Sequence, residues 1–417
     1  MDINAMALRT IVRGGRIITM DGDMRADLVI DDHQIVAMLN DASGVDSDSS
    51  IDATDLLVLP GMVETWFPAP WLHDINAGDV PHRVQTAALA GGLTTIAAEP
   101  GNAPSDVGTP SHLSIDAALW LPVTAENIPT SAQIARMKTV GMIGVSTSLI
   151  GEHGLTDAEL YQLMQVLAQH HLPLAIQPLH GELSPRDALS ESLATSTLML
   201  MAEATGAWVH LHGLTSAAAV RIAIAARDRG VSVTMSVPAL YLAVASDSGR
   251  SLRVRPPLRP QREVDELWRY VLTEQVDCIS VTPIRTGEGG TLGTDAQTTL
   301  SLFWHEAVGK RGMSTSQAVR MVATNPAQVL GIFPRKGALR IGSDADLVLF
   351  DPEATWVADN DDALDGSDLS PIHGAEITGF VVRTLSHGRT VYDAEHHNDD
   401  SLVIPGTGKL LHRSSST

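Results

Sequence analysis

Residues 59–70 read LPGMVETWFPAP, and the chain changes character across them. Upstream, residues 51–59 form a strand-like run closed by Pro60 and Gly61. Before that lie short β-rich runs split by Gly and Asp pairs, at residues 10–18, 26–32 and 34–37, the pattern of a meander or sandwich. Downstream, apolar strand-like runs at residues 94–98, 141–146, 174–177, 208–212, 231–235 and 278–281 alternate with helical stretches. This α/β repetition favours a parallel TIM (β/α)8 barrel. No GxGxxG opens a helix after a strand, which disfavours an open doubly wound sheet. The β-rich style returns at residues 346–350, 380–385 and 390–392. The expected organisation is a composite β-sandwich from residues 1–60 and 333–417 around a barrel of residues 61–332.

Of the 417 residues, 44% are hydrophobic and 18% charged, a composition that buries a large core. The formal net charge of −21 excludes a general nucleic-acid or anionic-membrane binder, which needs a basic face. Cys278 is the only cysteine, so no disulfide forms within one chain and Cys-rich zinc sites are ruled out. No apolar run approaches the ~20 residues of a membrane-spanning helix. The first residues carry no signal-peptide core, and a cytoplasmic protein is the expectation.

Several segments together resemble the amidohydrolase superfamily, specifically its dihydroorotase branch. They are LPGMVE at 59–64, AGGLTT at 90–95, RPPLR at 255–259, VDCI at 276–279, ATNPA at 323–327 and GALRIGSDADL at 337–347. The resemblance implies a TIM barrel with a composite sandwich. It also implies hydrolysis of a cyclic amide by zinc-bound hydroxide, with ligands at the C-terminal ends of the barrel strands.

The positions that the resemblance assigns to metal ligands hold other residues. Trp66 and Pro68 replace the His-x-His pair, Ser146 the carboxylated lysine, Gln177 the third histidine, Gly213 the fourth and Thr282 the aspartate. The substrate positions hold Pro70, Gly101 (beside Asn102) and Arg255. On this reading the chain binds no cofactor. It is an inactive dihydroorotase homologue, a structural subunit supporting aspartate carbamoyltransferase in pyrimidine biosynthesis, with self-association as the other expected partnership.

The alternative is an active, divergent cyclic amidohydrolase of dihydroorotase or hydantoinase type, with zinc at a relocated site. His180, His210 and His212 are its candidate ligands, with Glu182, His73, Asp74 and His82 nearby in sequence. A third reading is a small-molecule sensor built on the emptied barrel. Trp66 is expected to fill the volume that metals and water would leave, because an empty buried cavity is costly. Arg253, Arg255, Arg259 and Arg262 form a basic cluster that suits either an anion or simple solvation. Cys278 reads as a small buried residue rather than a nucleophile.

Overall fold

The computed structural model describes residues 8–73, 78–100, 112–139, 141–151, 154–181, 183–184, 188–248, 254–285, 292–365, 370–396 and 402–413. Eight parallel strands form the barrel: β1 (Met62–Pro68), β2 (Leu93–Glu99), β3 (Asp116–Val123), β4 (Gly144–Thr147), β5 (Leu174–Ile176), β6 (Val209–Leu211), β7 (Val233–Pro238) and β8 (Cys278–Ser280). Each pairs with the next in register, Ala175 opposite His210 and His210 opposite Thr234 for example. The fold class is therefore the expected one. Short, fully buried runs such as LAI, VHL and CIS make these strands, as a parallel sheet covered on both faces requires. The ring is nearly closed. At the seam between β1 and β8, the Glu64 carboxyl accepts from the Val281 N–H at 2.7 Å, so a side chain bridges the two strands.

Helices follow the strands with ordinary local chemistry. Asp157–His170 starts at a capping box in which the Thr156 side chain accepts from the Glu159 N–H and the Glu159 carboxylate reaches back to the Thr156 N–H. Gly144 opens β4 because a Cβ there would lie 2.4 Å from the Trp120 ring and 2.5 Å from the Pro173 carbonyl. Trp120 is fully buried and donates its indole N–H to the Thr65 carbonyl.

Two further sheets build the sandwich. One runs Gln34–Leu39, Asp27–Asp31, Arg9–Arg13, Ser49–Asp52. The other runs Arg389–Asp393, Glu376–Ser386, Leu347–Val357, Leu57–Pro60, Arg16–Thr19, Gly22–Arg25. In the second, Leu347 pairs with Pro60, so segments from both ends of the chain share one sheet. Leu410–Leu411 instead pairs with β3 and lies against the barrel.

Barrel and sandwich meet at a buried charge cluster. The Lys336 ammonium, 1% exposed, lies 2.5 Å from Asp116 at the start of β3, 3.0 Å from Asp344 and 2.6 Å from Asp346. His387 Nε2 is 2.9 Å from Asp116. Burial favours a neutral Asp116, but Lys336 and His387 outweigh it and hold the carboxyl well below the usual carboxylate range. Burial likewise opposes the ammonium, and the three carboxylates overcome it and raise Lys336 above its ordinary value.

Candidate functional site

At the C-terminal ends of the barrel strands, Glu64, Trp66, Gln177, His212, Gly213, Tyr241, Arg255 and Thr282 line a narrow cavity. Its water-accessible space is about 20 Å³, room for roughly one water. Trp66 is the reason it is small. Its indole stacks on the His212 imidazole, ring centroids 4.2 Å apart and 12° from parallel, and its N–H donates to Glu99 at 2.9 Å.

His212 reaches this stack because β6 ends at Leu211, so the strict alternation of a strand no longer governs it. His212 precedes the Gly213 ligand position by one residue, where regular alternation would turn it away, yet it lines the cavity. Gly213 follows at φ +67°, and a Cβ there would sit 3.1 Å from the Gln177 amide nitrogen. A side chain at this position would be both strained and crowded.

Three carboxyls lie in or near the cavity: buried Glu64 lines it, half-buried Glu99 holds the Trp66 indole, and buried Asp295 holds the Thr282 N–H. Burial pushes Glu64 up to about 8, against the Trp66 and Val281 N–H groups that favour its charged form, so it is protonated at neutral pH. Glu99, at the end of β2, is raised by burial despite hydrogen bonds from Ser146 and Trp66. Asp295, just before the helix Ala296–Trp304, is raised by burial to about 6 and accepts from the Thr282 N–H. His212 is kept neutral by burial and by neighbouring His210. Sequence reading passed over Glu64, Glu99, Asp295 and Tyr241. A lone carboxyl inside an apolar strand, as in MVETWF, was the available signal, since such groups are seldom buried without a reason.

The remaining assigned positions are spread more widely. Ser146 is buried on β4 beside Glu99. Pro68 ends β1, where it pairs with Glu99, and exposed Pro70 starts a short turn whose Trp71 and Leu72 are buried. Gly101, Asn102, Asp74, Glu182 and Arg253 lie outside the described residues. His180 is half-buried after β5, its N–H donating to Ser190. His180, His210 and His212 are not among the described groups whose ligand atoms converge. Cys278 is fully buried, and burial pushes its thiol far above its ordinary value.

Arg259, from the basic cluster, is structural. It is buried, 3.3 Å from Glu191 and 3.0 Å from the Thr215 hydroxyl, while Glu191 also accepts from the Thr215 and Ser216 N–H groups. Arg259→Met is expected to cost about 3 kcal/mol, because it strands a buried carboxylate. Chemical denaturation reads this as a lower midpoint at unchanged slope.

The expectation that the chain carries no cofactor does not stand. Asp116, Asp344 and His387 bring ligand atoms within 4.8 Å of one another, and the resemblance is to metal-dependent hydrolases. Carboxylates with an imidazole suit a divalent cation. The Lys336 ammonium, however, already lies against both carboxylates, so a cation there would compete with it. The group also sits at the opposite end of β3 from the cavity. At the barrel mouth the residues present do not fit the two-metal centre that the resemblance implies.

The description Amidohydrolase family matches residues 277–391, from β8 into the sandwich. Allantoinase from Deinococcus radiodurans is 28% identical, over 93% of this chain and 96% of its own length. Allantoinase from Rubrobacter xylanophilus is 29% identical, over 93% and 95%. Among solved structures, L-hydantoinase (dihydropyrimidinase) from Arthrobacter aurescens superposes with a TM-score of 0.86 at 22% identity, over 98% of this chain and all of its own. The dihydropyrimidinase from Brevibacillus agri gives 0.84 at 21%, with the same coverage.

The chain is similar to the amidohydrolase family over residues 277–391 and to allantoinases along nearly its whole length. These relatives are named allantoinase and hydantoinase (dihydropyrimidinase). They overturn the expectation of an inactive dihydroorotase-like subunit serving aspartate carbamoyltransferase. They equally remove the support for leaning against an enzyme. Among the described residues, no helix is long and apolar enough to cross a membrane.

Proposed function

We propose that the chain hydrolyses a C–N bond in a small cyclic amide or ureide of the allantoin and hydantoin class. The observation that carries this reading is similarity to proteins named allantoinase along nearly the whole chain. The cavity supports it, because it lies where barrel enzymes place their chemistry and holds groups able to move protons. Glu64, protonated at neutral pH, is placed to donate to the leaving ring nitrogen. The neutral His212 imidazole can accept a hydrogen bond from an attacking water. Arg255, exposed at the rim, suits the carboxylate that ring opening creates. A ring substrate exceeds the space now present, so Trp66 must swing off His212 to admit it.

The test is ring opening of allantoin, hydantoin, dihydrouracil and dihydroorotate, followed by NMR. Untagged protein is used as purified, after chelation, and after supplementation with zinc, cobalt or manganese, with metal content measured alongside. Turnover of at least one ureide or hydantoin is the expected result. No turnover of any ring under any condition would overturn the proposal.

A further inference from the structure

Below the cavity, polar side chains run in an unbroken line through the apolar barrel interior. At the lower end, half-buried Thr234 on β7 lines an open groove of about 490 Å³ with Trp208, His171 and Arg227. The Thr234 hydroxyl is 3.0 Å from His210 Nδ1, and His210 Nε2 is 3.0 Å from the Thr65 hydroxyl. The Thr65 hydroxyl lies 3.4 Å from Glu64 Oε1, the longest link. Glu64 lines the upper cavity. His210, Thr65 and Glu64 are almost completely shielded from solvent, at 0%, 1% and 0% exposure.

We propose that Thr65, His210 and Thr234 form a proton relay connecting the Glu64 carboxyl with water at the bottom of the barrel. Every member can both donate and accept, which a relay requires and simple hydrogen-bond satisfaction does not. Burial pushes the His210 imidazole down to about 3, so the ring stays neutral and passes protons by exchanging tautomers. In the outward step, the Glu64 O–H bond breaks and its proton joins the Thr65 oxygen, as that hydroxyl's own proton moves to His210 Nε2. The Nδ1–H bond then breaks, its proton joins Thr234, and the Thr234 proton leaves on a groove water. The products are a Glu64 carboxylate, the other His210 tautomer and a hydronium ion; the reverse sequence reprotonates Glu64. Among the described residues, Asp295 and Cys278 also interact electrostatically with Glu64, Asp295 favouring the protonated carboxyl, and His212, Tyr241 and Arg255 share its cavity. Thr65, His210 and Thr234 are positioning residues, and the relay does not depend on the substrate proposed above.

The test follows the infrared carbonyl band of protonated Glu64 after transfer of the full chain from H2O to D2O at neutral pH, assigned by its loss in Glu64→Gln. In Thr234→Val, and separately in His210→Phe, the band shift is expected to slow by roughly tenfold or more, because exchange must then wait for local opening. Thermal melting establishes that each variant is folded, and Thr65→Val cuts the same line should either fail to fold. A folded variant that exchanges as fast as the native chain overturns the relay, since the proton then leaves through the upper cavity. Absence of any Glu64-dependent band at neutral pH overturns it too.

Discussion

Lys336→Met is expected to lower the unfolding free energy by about 4 kcal/mol, near the top of the range for a single substitution. The ammonium lies within 3.0 Å of Asp116, Asp344 and Asp346, all buried, and methionine fills the volume without the charge. Carboxylates packed together without a cation repel one another and have lost their water. The pH dependence has a definite sign. Asp116 is depressed in the folded protein, so its contribution is present above the unfolded Asp value of about 3.9 and is lost as pH falls below it. Lys336 is raised, so its contribution is complete below the unfolded Lys value of about 10.4 and is lost as pH rises through the higher folded value. The deficit of Lys336→Met is therefore largest between these limits and shrinks in acid, where the carboxylates protonate. Urea denaturation across pH measures it. A deficit that stayed constant into acid would mean that packing, not charge, is what the substitution removes.

Glu64→Gln is expected to lower kcat/KM on the best ring substrate by about 10²–10⁴-fold, mostly in kcat, the usual contribution of a positioned general acid. The amide keeps an acceptor for the Val281 N–H at the barrel seam but has no acidic proton to give. In the native chain the reactive form is the protonated one, so activity falls as pH rises through about 8. The variant lacks that limb. Stability supplies a second readout. Because Glu64 holds its proton to about 8 when folded but not when unfolded, native stability declines with rising pH from the ordinary Glu value up to about 8. Glu64→Gln removes this slope. A variant that retained native kcat would leave Glu64 as a seam residue alone.

The barrel was legible in the sequence because a strand buried on both faces must be apolar throughout, and runs such as residues 174–176 and 278–280 are. The sandwich was legible because both ends of the chain carry short β-rich runs broken by turn residues, and Leu347 opposite Pro60 joins them. The resemblance also assigned Trp66, Pro68 and Thr282 to ligand positions, a matter of alignment alone. The reading of inactivity from those replacements does not stand beside relatives named allantoinase and hydantoinase, because replacements say what a site lacks and not what its other groups do.

Only the tertiary structure shows which groups meet and how solvent treats them. Glu64 and Val281 are far apart in sequence and 2.7 Å apart across the seam, and it is burial there that turns an ordinary carboxylate into an acid. The fold buries Lys336 against three carboxylates that come from two distant parts of the chain. His212 faces the cavity because its strand ends one residue earlier. Periodicity describes a strand's faces while the strand lasts, whereas pKa, ion pairing and access to water depend on neighbours that the chain supplies from a distance.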